Sequence, residues 1–207
     1  MGSHTSRGWQ RLPPRLRAVL AGGLVLGVGV TLTLASWNDS EYASGSFAAS
    51  TFDTESSTVS GVWANNSSTP GASLVFNATA MSPSVSQYAW VNIRTTAAST
   101  VGGTITLASS TTSGTLIPAL EYRAVRAAAV STSCTASAFS GTPTYIAGSA
   151  TTYLAVTTVP ASPVASAITS PSGELRYCFD VRVQSAASNT YQGKTGTVTW
   201  LFSGISS

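Results

Sequence analysis

Leu175-Arg176-Tyr177-Cys178-Phe179-Asp180-Val181-Arg182-Val183 alternates without a break: every odd position is apolar and every even one is polar or cysteine. A period of two sends the odd side chains to one face of a β-strand and the even ones to the other, so this stretch predicts a strand with one face in a core. Thr197-Val198-Thr199-Trp200-Leu201-Phe202 repeats the pattern, with Val198, Trp200 and Phe202 on a common face. Residues 87–95 set Val91 and Ile93 on one side and Tyr88 and Trp90 on the other, which predicts a strand covered on both faces. Residues 101–107, 117–125, 73–77 and 47–53 complete the expected strands. Turn signals separate them at Thr69-Pro70-Gly71, Ser82-Pro83, Gly102-Gly103, Ser113-Gly114, Pro171-Ser172-Gly173 and Gln192-Gly193. No apolar pattern of helical period persists over three turns. The expected fold class is all-β, a jelly-roll-like antiparallel β-sandwich.

Between residues 130 and 171 the alternation weakens into Ser/Thr/Ala/Pro-rich sequence, with only Tyr145-Ile146 and residues 153–156 strand-like. This stretch reads as an insert that runs over the surface. It holds Cys134, while Cys178 lies on the strand first quoted, and the chain has no other cysteine. For an exported chain two cysteines predict a disulfide. Closing a loop of roughly 45 residues would remove denatured-state entropy equivalent to about 4 kcal/mol in the loop-closure model. A metal pair or a catalytic thiol would need partners that the sequence lacks.

Export itself is read upstream. Arg7, Arg11, Arg15 and Arg17 precede an uncharged apolar run over 18–35, followed by the polar Ser36-Trp37-Asn38-Asp39-Ser40-Glu41-Tyr42-Ala43. These are the parts that an export machinery and its signal peptidase recognise. Thr33-Leu34-Ala35 fits an A-x-A-like site, so cleavage is expected after Ala35, with Ser36 the next boundary. An uncleaved anchor is the rival reading, since roughly 18 to 20 apolar residues can span a bilayer. Gly22, Gly23, Gly27 and Gly29, with Thr31 and Thr33, weigh against it. The expected layout is a signal peptide over 1–35, an extended mature N-terminal segment over 36–46 and one β-sandwich domain over 47–207. A second spanning segment or a C-terminal anchor is not expected. About 170 residues are enough for one domain with a sizeable core.

The leader also distorts the charge balance. Its four arginines exceed the formal net charge of +3, leaving about −1 for the rest. Nothing downstream forms the Lys/Arg cluster of a nucleic-acid footprint, so nucleic acid is excluded as a partner. The one histidine, His4, lies in the leader as well. A His-ligated zinc site, a Ser-His-Asp triad and a Cys-His dyad therefore cannot be built within a mature subunit. Asp39, Glu41, Asp53, Glu55, Glu121, Glu174 and Asp180 remain for a carboxylate mechanism. Most of them stand beside turns or strand exits and read as solvated surface charge, with Asp180 pairing Arg176 or Arg182 on the strand face. No enzyme activity, metal or cofactor is expected. Trp63, Trp90, Trp200, Tyr88 and Tyr177 are interleaved in strand patterns or sit beside one, and read as core or interface residues; Trp37 stands apart at the mature start. Asn38, Asn65, Asn66 and Asn77 open Asn-x-Ser/Thr sequons, which mark exposed polar sequence.

Three segments carry a family resemblance: the boundary followed by Trp37-Asn38-Asp39-Ser40-Glu41-Tyr42-Ala43-Ser44-Gly45-Ser46-Phe47; Leu74-Val75-Phe76-Asn77-Ala78-Thr79-Ala80-Met81-Ser82-Pro83; and Asn189-Thr190-Tyr191-Gln192-Gly193-Lys194 before the last strand. In this order the chain resembles exported proteins with a SipW-dependent type of signal peptide, the TasA and camelysin relatives of Gram-positive bacteria. It departs from them in Ser84-Val85-Ser86 after the turn proline and in the cysteine-bearing insert. The resemblance implies a secreted structural subunit of extracellular fibres or biofilm matrix, at the cell surface or beyond. Its partners would be other copies or related fibre subunits and a dedicated signal peptidase, with the membrane involved only through the leader before cleavage. Assembly would proceed by strand donation, the mature N-terminal segment with Trp37, Asp39, Glu41 and Tyr42, and Phe47 at its end, completing the sheet of the next subunit. Edge chemistry agrees, since a sandwich exposes free N–H and C=O groups that charge usually guards, and the chain has one lysine, Lys194. A monomeric surface adhesin or carbohydrate-binding module is the alternative. A camelysin-like protease is a third reading, against which stands the absence of an H-E-x-x-H motif.

Overall fold

The structure, a computed structural model, describes Ser46 and residues 48–68, 71–76 and 81–207. The expected cleavage site at Ala35 and Ser36, the strand-donation residues Trp37, Asp39, Glu41, Tyr42 and Phe47, and the sequons at Asn38 and Asn77 lie outside the described residues. Residues 48–207 form one compact unit.

That unit is an antiparallel all-β sandwich. Its described strands are β1 (Thr54–Ser57), β2 (Gln87–Thr95), β3 (Gly103–Gly114), β4 (Leu120–Arg126), β5 (Thr144–Ala147), β6 (Leu154–Ala155), β7 (Ser166–Ile168), β8 (Glu174–Val183) and β9 (Gly196–Ser206). The larger sheet has the order β1-β2-β8-β4-β5, with β6 also on β4, and the smaller has β7-β3-β9. The chain passes between sheets at β2 to β3, β3 to β4, β6 to β7, β7 to β8 and β8 to β9. Repeated crossing of this kind makes the arrangement jelly-roll-like.

The alternation read in β8 decides the middle of the larger sheet. Tyr177, Phe179, Val181 and Val183 are buried on the inner face, opposite Ala89 and Val91 of β2 and Leu120, Tyr122 and Ala124 of β4. Across the core Ile105 and Leu107 of β3 and Trp200 and Phe202 of β9 meet them. Phe179 lies 4.6 Å from Trp200 and Tyr177 4.7 Å from Phe202, centroid to centroid. Such aromatic pairs are worth about 0.5–1.5 kcal/mol each beyond the area they bury. They weld the two sheets at β8 and β9, the strands whose pattern was clearest in the sequence.

Four expectations need correction. Ile117 to Ala119 is a 3-10 turn, because Pro118 has no N–H to give a ladder, and the strand begins only at Leu120. Residues 73–76 and 48–53 form no strand. Thr51 O instead accepts Thr100 N–H at 2.9 Å, and Asp53 O accepts Thr96 N–H at 3.0 Å, so this segment is tied to a loop instead of a ladder. The fourth concerns the insert over 130–171, which supplies β5, β6 and β7 and buries Phe139, Ile146, Val156 and Ile168. It is woven into both sheets: β5 and β6 fall on the stretches expected to be strand-like, Tyr145-Ile146 and 153–156, while the three-residue β7 is too short to show a period.

Candidate functional site

Sheet edges differ in length, and length decides which one can recruit another chain. The smaller sheet ends at β7, three residues long, and at β9, eleven residues long. The larger sheet ends at the four-residue β5 and at the four-residue β1, and Ser56 in β1 exchanges both backbone bonds with Ala64. Short edges are guarded edges. Among the described residues β9 has β3 as its one strand partner, and residues 196–206 enter no further backbone hydrogen bond. The sequence of β9, Gly196-Thr197-Val198-Thr199-Trp200-Leu201-Phe202-Ser203-Gly204-Ile205-Ser206, contains neither charge nor proline. It therefore lacks the usual protections of an edge strand.

Behind this edge lies an aromatic seam. Val198, Trp200 and Phe202 point inward yet are only half-buried, whereas Tyr122, Tyr177 and Phe179 opposite them are fully buried. Phe76 meets Trp200 at 6.5 Å, and the Phe52 ring lies so close to Gly204 that a Cβ there would sit 2.8 Å from it. Phe52 and Phe76 come from the two expected strands that do not form, so irregular chain covers part of the seam. A jelly roll of eight strands in two sheets puts four in each; the smaller sheet here has three among the described residues, and β9 is its long open side. Burial pushes the Tyr122 hydroxyl up to about 12, opposed by the Trp200 indole, and Tyr122 donates to Thr158 O at 2.9 Å. Burial likewise pushes Tyr177 up to about 12, opposed by the Ser166 hydroxyl and Arg126.

The outer face of the larger sheet is built differently. Cys134 and Cys178 form the disulfide, with 5.3 Å between their Cα atoms, and it pins the segment bearing Phe139 over Val125 and Tyr88. Disulfides form and persist mostly in oxidising compartments. Asp180, expected at the surface beside Arg176 or Arg182, is fully buried and pairs across the strands with Arg123 at 2.9 Å. Tyr153, from the insert, donates to the same oxygen at 2.7 Å. Burial, then the bond to Asp180, raises the Tyr153 pKa; burial tends to lower that of Arg123, but Asp180 and its neighbours raise it on balance. Arg182 pairs instead with Glu121 at 2.7 Å, and Arg94 with Glu55 at 2.7 Å. Trp90 lies under Arg176 and Trp63 under Arg94, each with the guanidinium carbon 4.1 Å from the ring centre.

Each described carboxylate thus has its own donor: Asp53 accepts from Thr54 N–H and Glu174 from Asn92. Among the described residues histidine, cysteine, aspartate and glutamate nowhere gather in threes. Sequence reasoning missed the open edge and the Arg123–Asp180–Tyr153 cluster. The charge-free run of β9 was the available signal for the first. The second depends on the register of β4 on β8, which periodicity does not carry. No protein-family model and no curated protein matches this chain.

Proposed function

We propose that the protein is a secreted, non-enzymatic subunit of an extracellular fibre or surface matrix, assembled by strand donation between copies. The single observation that supports this most is the edge of β9, open among the described residues: eleven residues without a charge, backed by the half-buried aromatics Trp200 and Phe202. A strand added there would satisfy unpaired backbone groups and cover the seam, so main-chain bonds supply affinity and the aromatic wall supplies fit. The donor is residues 36–46, released by cleavage after Ala35, with Trp37 and Tyr42 as the side chains available for pockets. While the leader holds that segment at the membrane it cannot reach another copy, so processing licenses assembly. The disulfide suits a subunit that must endure outside the cell.

Deleting residues 36–46 behind an intact leader tests the reading. The secreted product is expected to fold, to carry the Cys134–Cys178 bond by mass and to form no filaments under the electron microscope. Filaments of normal abundance from that variant would sink the proposal. An unaltered chain that stays monomeric by size-exclusion chromatography at every concentration would favour the adhesin reading instead.

A further inference from the structure

Two features at opposite edges of the larger sheet are left unused by assembly through β9. At the β1 edge the chain turns after Ser57, with Gly61 N–H donating to Thr58 O at 2.8 Å and Gly61 at φ +71°. Val59 and Val62 on this turn are 66 % and 67 % exposed, more than any other large apolar side chain of the described residues. A Cβ added to Gly61 would meet nothing within 4 Å, so the tip stands clear of the fold. Single exposed apolar side chains are ordinary, but two on one turn make an apolar knob.

At the β5 edge lies the counterpart, a cleft of about 450 Å³ among β5, β6 and the chain leading to β7. Ile146, Leu154, Pro160 and Val164 line it beside Tyr145, and none of its lining residues carries a charge. The turn is uncharged as well, from Thr58 to Val62. Contact between them would therefore bury no unpaired charge, the costliest group to take out of water. Register adds position. Ser57 faces Asn92, so the turn after it lies level with Val91 and Trp90; the same row runs from Trp90 through Cys178 and Val125 to Tyr145, at the cleft. Knob and cleft thus stand at one level on the two ends of the order β1-β2-β8-β4-β5. A copy displaced sideways along the sheet brings its knob to its neighbour's cleft and leaves its own cleft free for the next.

We propose that the partner of this cleft is a second copy of the chain, whose Val59–Val62 turn enters it head to tail. Unlike patches in contact make a heterologous interface, which propagates unless its rotation closes a ring. Two valines give a weak contact by themselves, and a row of copies strengthens it by avidity. The contact rests on the reading of the chain as a self-assembling subunit, but it uses neither β9 nor residues 36–46, so either can fail alone.

Cross-linking of the secreted chain tests it. One preparation carries Val59→Cys and another Ser162→Cys; they are mixed and treated with a short bismaleimide, which leaves the Cys134–Cys178 disulfide untouched. Dimers joining the two variants are expected at about ten times the yield from either variant alone, or from Ser162→Cys mixed with Val85→Cys, an exposed control. Adding Val62→Asp to the first chain, or Val164→Asp to the second, should each lower the yield about tenfold. Both valines are exposed, so melting curves should not move; if one variant is unfolded, the other decides. Cross-links as abundant within the Val59→Cys preparation alone would mean a closed two-fold contact. That result, no cross-link, equal yield with the control, or indifference to the aspartates would each overturn the proposal. Cross-links without filaments would count against strand donation alone, and filaments without cross-links against this contact alone.

Discussion

The two sheets of this sandwich present opposite kinds of outer surface. Strands of the larger sheet carry all five arginines of the described residues and four of their five carboxylates. Strands of the smaller sheet carry no charge; by the register of β3 on β9 their outer face offers Thr104, Thr106, Thr111, Thr199 and Ser203, with Leu201 and Ile205. Where charge is concentrated it is spent on internal ties: Arg94 to Glu55, Arg182 to Glu121, Arg123 to Asp180, and a disulfide beside them. Where charge is absent, β9 has no second strand partner among the described residues. The contrast teaches that this chain spends its charge on ties within one sheet and builds the outer surface of the other without any.

Removing charge from the fortified side should cost most. Asp180→Asn leaves the Arg123 guanidinium without its buried counter-charge, and breaking a buried pair from one side costs about 3–5 kcal/mol. Urea denaturation is expected to show a loss of that order, and replacing both partners by leucine and methionine should recover much of it. A loss under about 1 kcal/mol would mean that the pair behaves as an exposed one. Next in size is the disulfide. Cys134→Ala with Cys178→Ala is expected to cost about 2–4 kcal/mol. Hydrogen exchange should rise in residues 127–143 while β9 keeps its protection. Equal loosening of both sheets would show that the clip stabilises the whole sandwich and not one face.

This asymmetry was only partly legible beforehand. The 87–95 strand, the strand from 175 to 183 and the pairing of inward Trp200 and Phe202 followed from period-two alternation, because burial on one face imposes that pattern locally. Tyr145-Ile146 and residues 153–156 read as strand-like and fall on β5 and β6, but β7 did not show, since three residues hold too little of a period, and the sheet each of these strands joins is decided by neighbours far along the chain. Asp180 looked like surface charge because its flanking arginines, Arg176 and Arg182, share its strand face. Its true partner, Arg123, is 57 residues away and is selected by β4–β8 register. The edge of β9 had a local correlate in the uncharged run from Gly196 to Ser206, but that it has no second strand partner among the described residues is a property of the topology. The cysteines were the exception: with only two, pairing needed no geometry.

The smallest expected change in stability is the sharpest test of the contrast. Leu201 is 54 % exposed on the outer face of β9, so Leu201→Lys removes little packing and should alter stability by no more than about 0.5 kcal/mol. Yet it places on that edge the residue that natural sheets use to repel neighbours. The expected outcome is an unchanged melting curve together with loss of filaments by electron microscopy. Val130→Lys, on the opposite sheet's pinned segment and 36 % exposed, should leave both unchanged. If Leu201→Lys assembles as readily as the parent, the uncharged side is not where copies meet, and the missing charge of β9 would need a different physical cause.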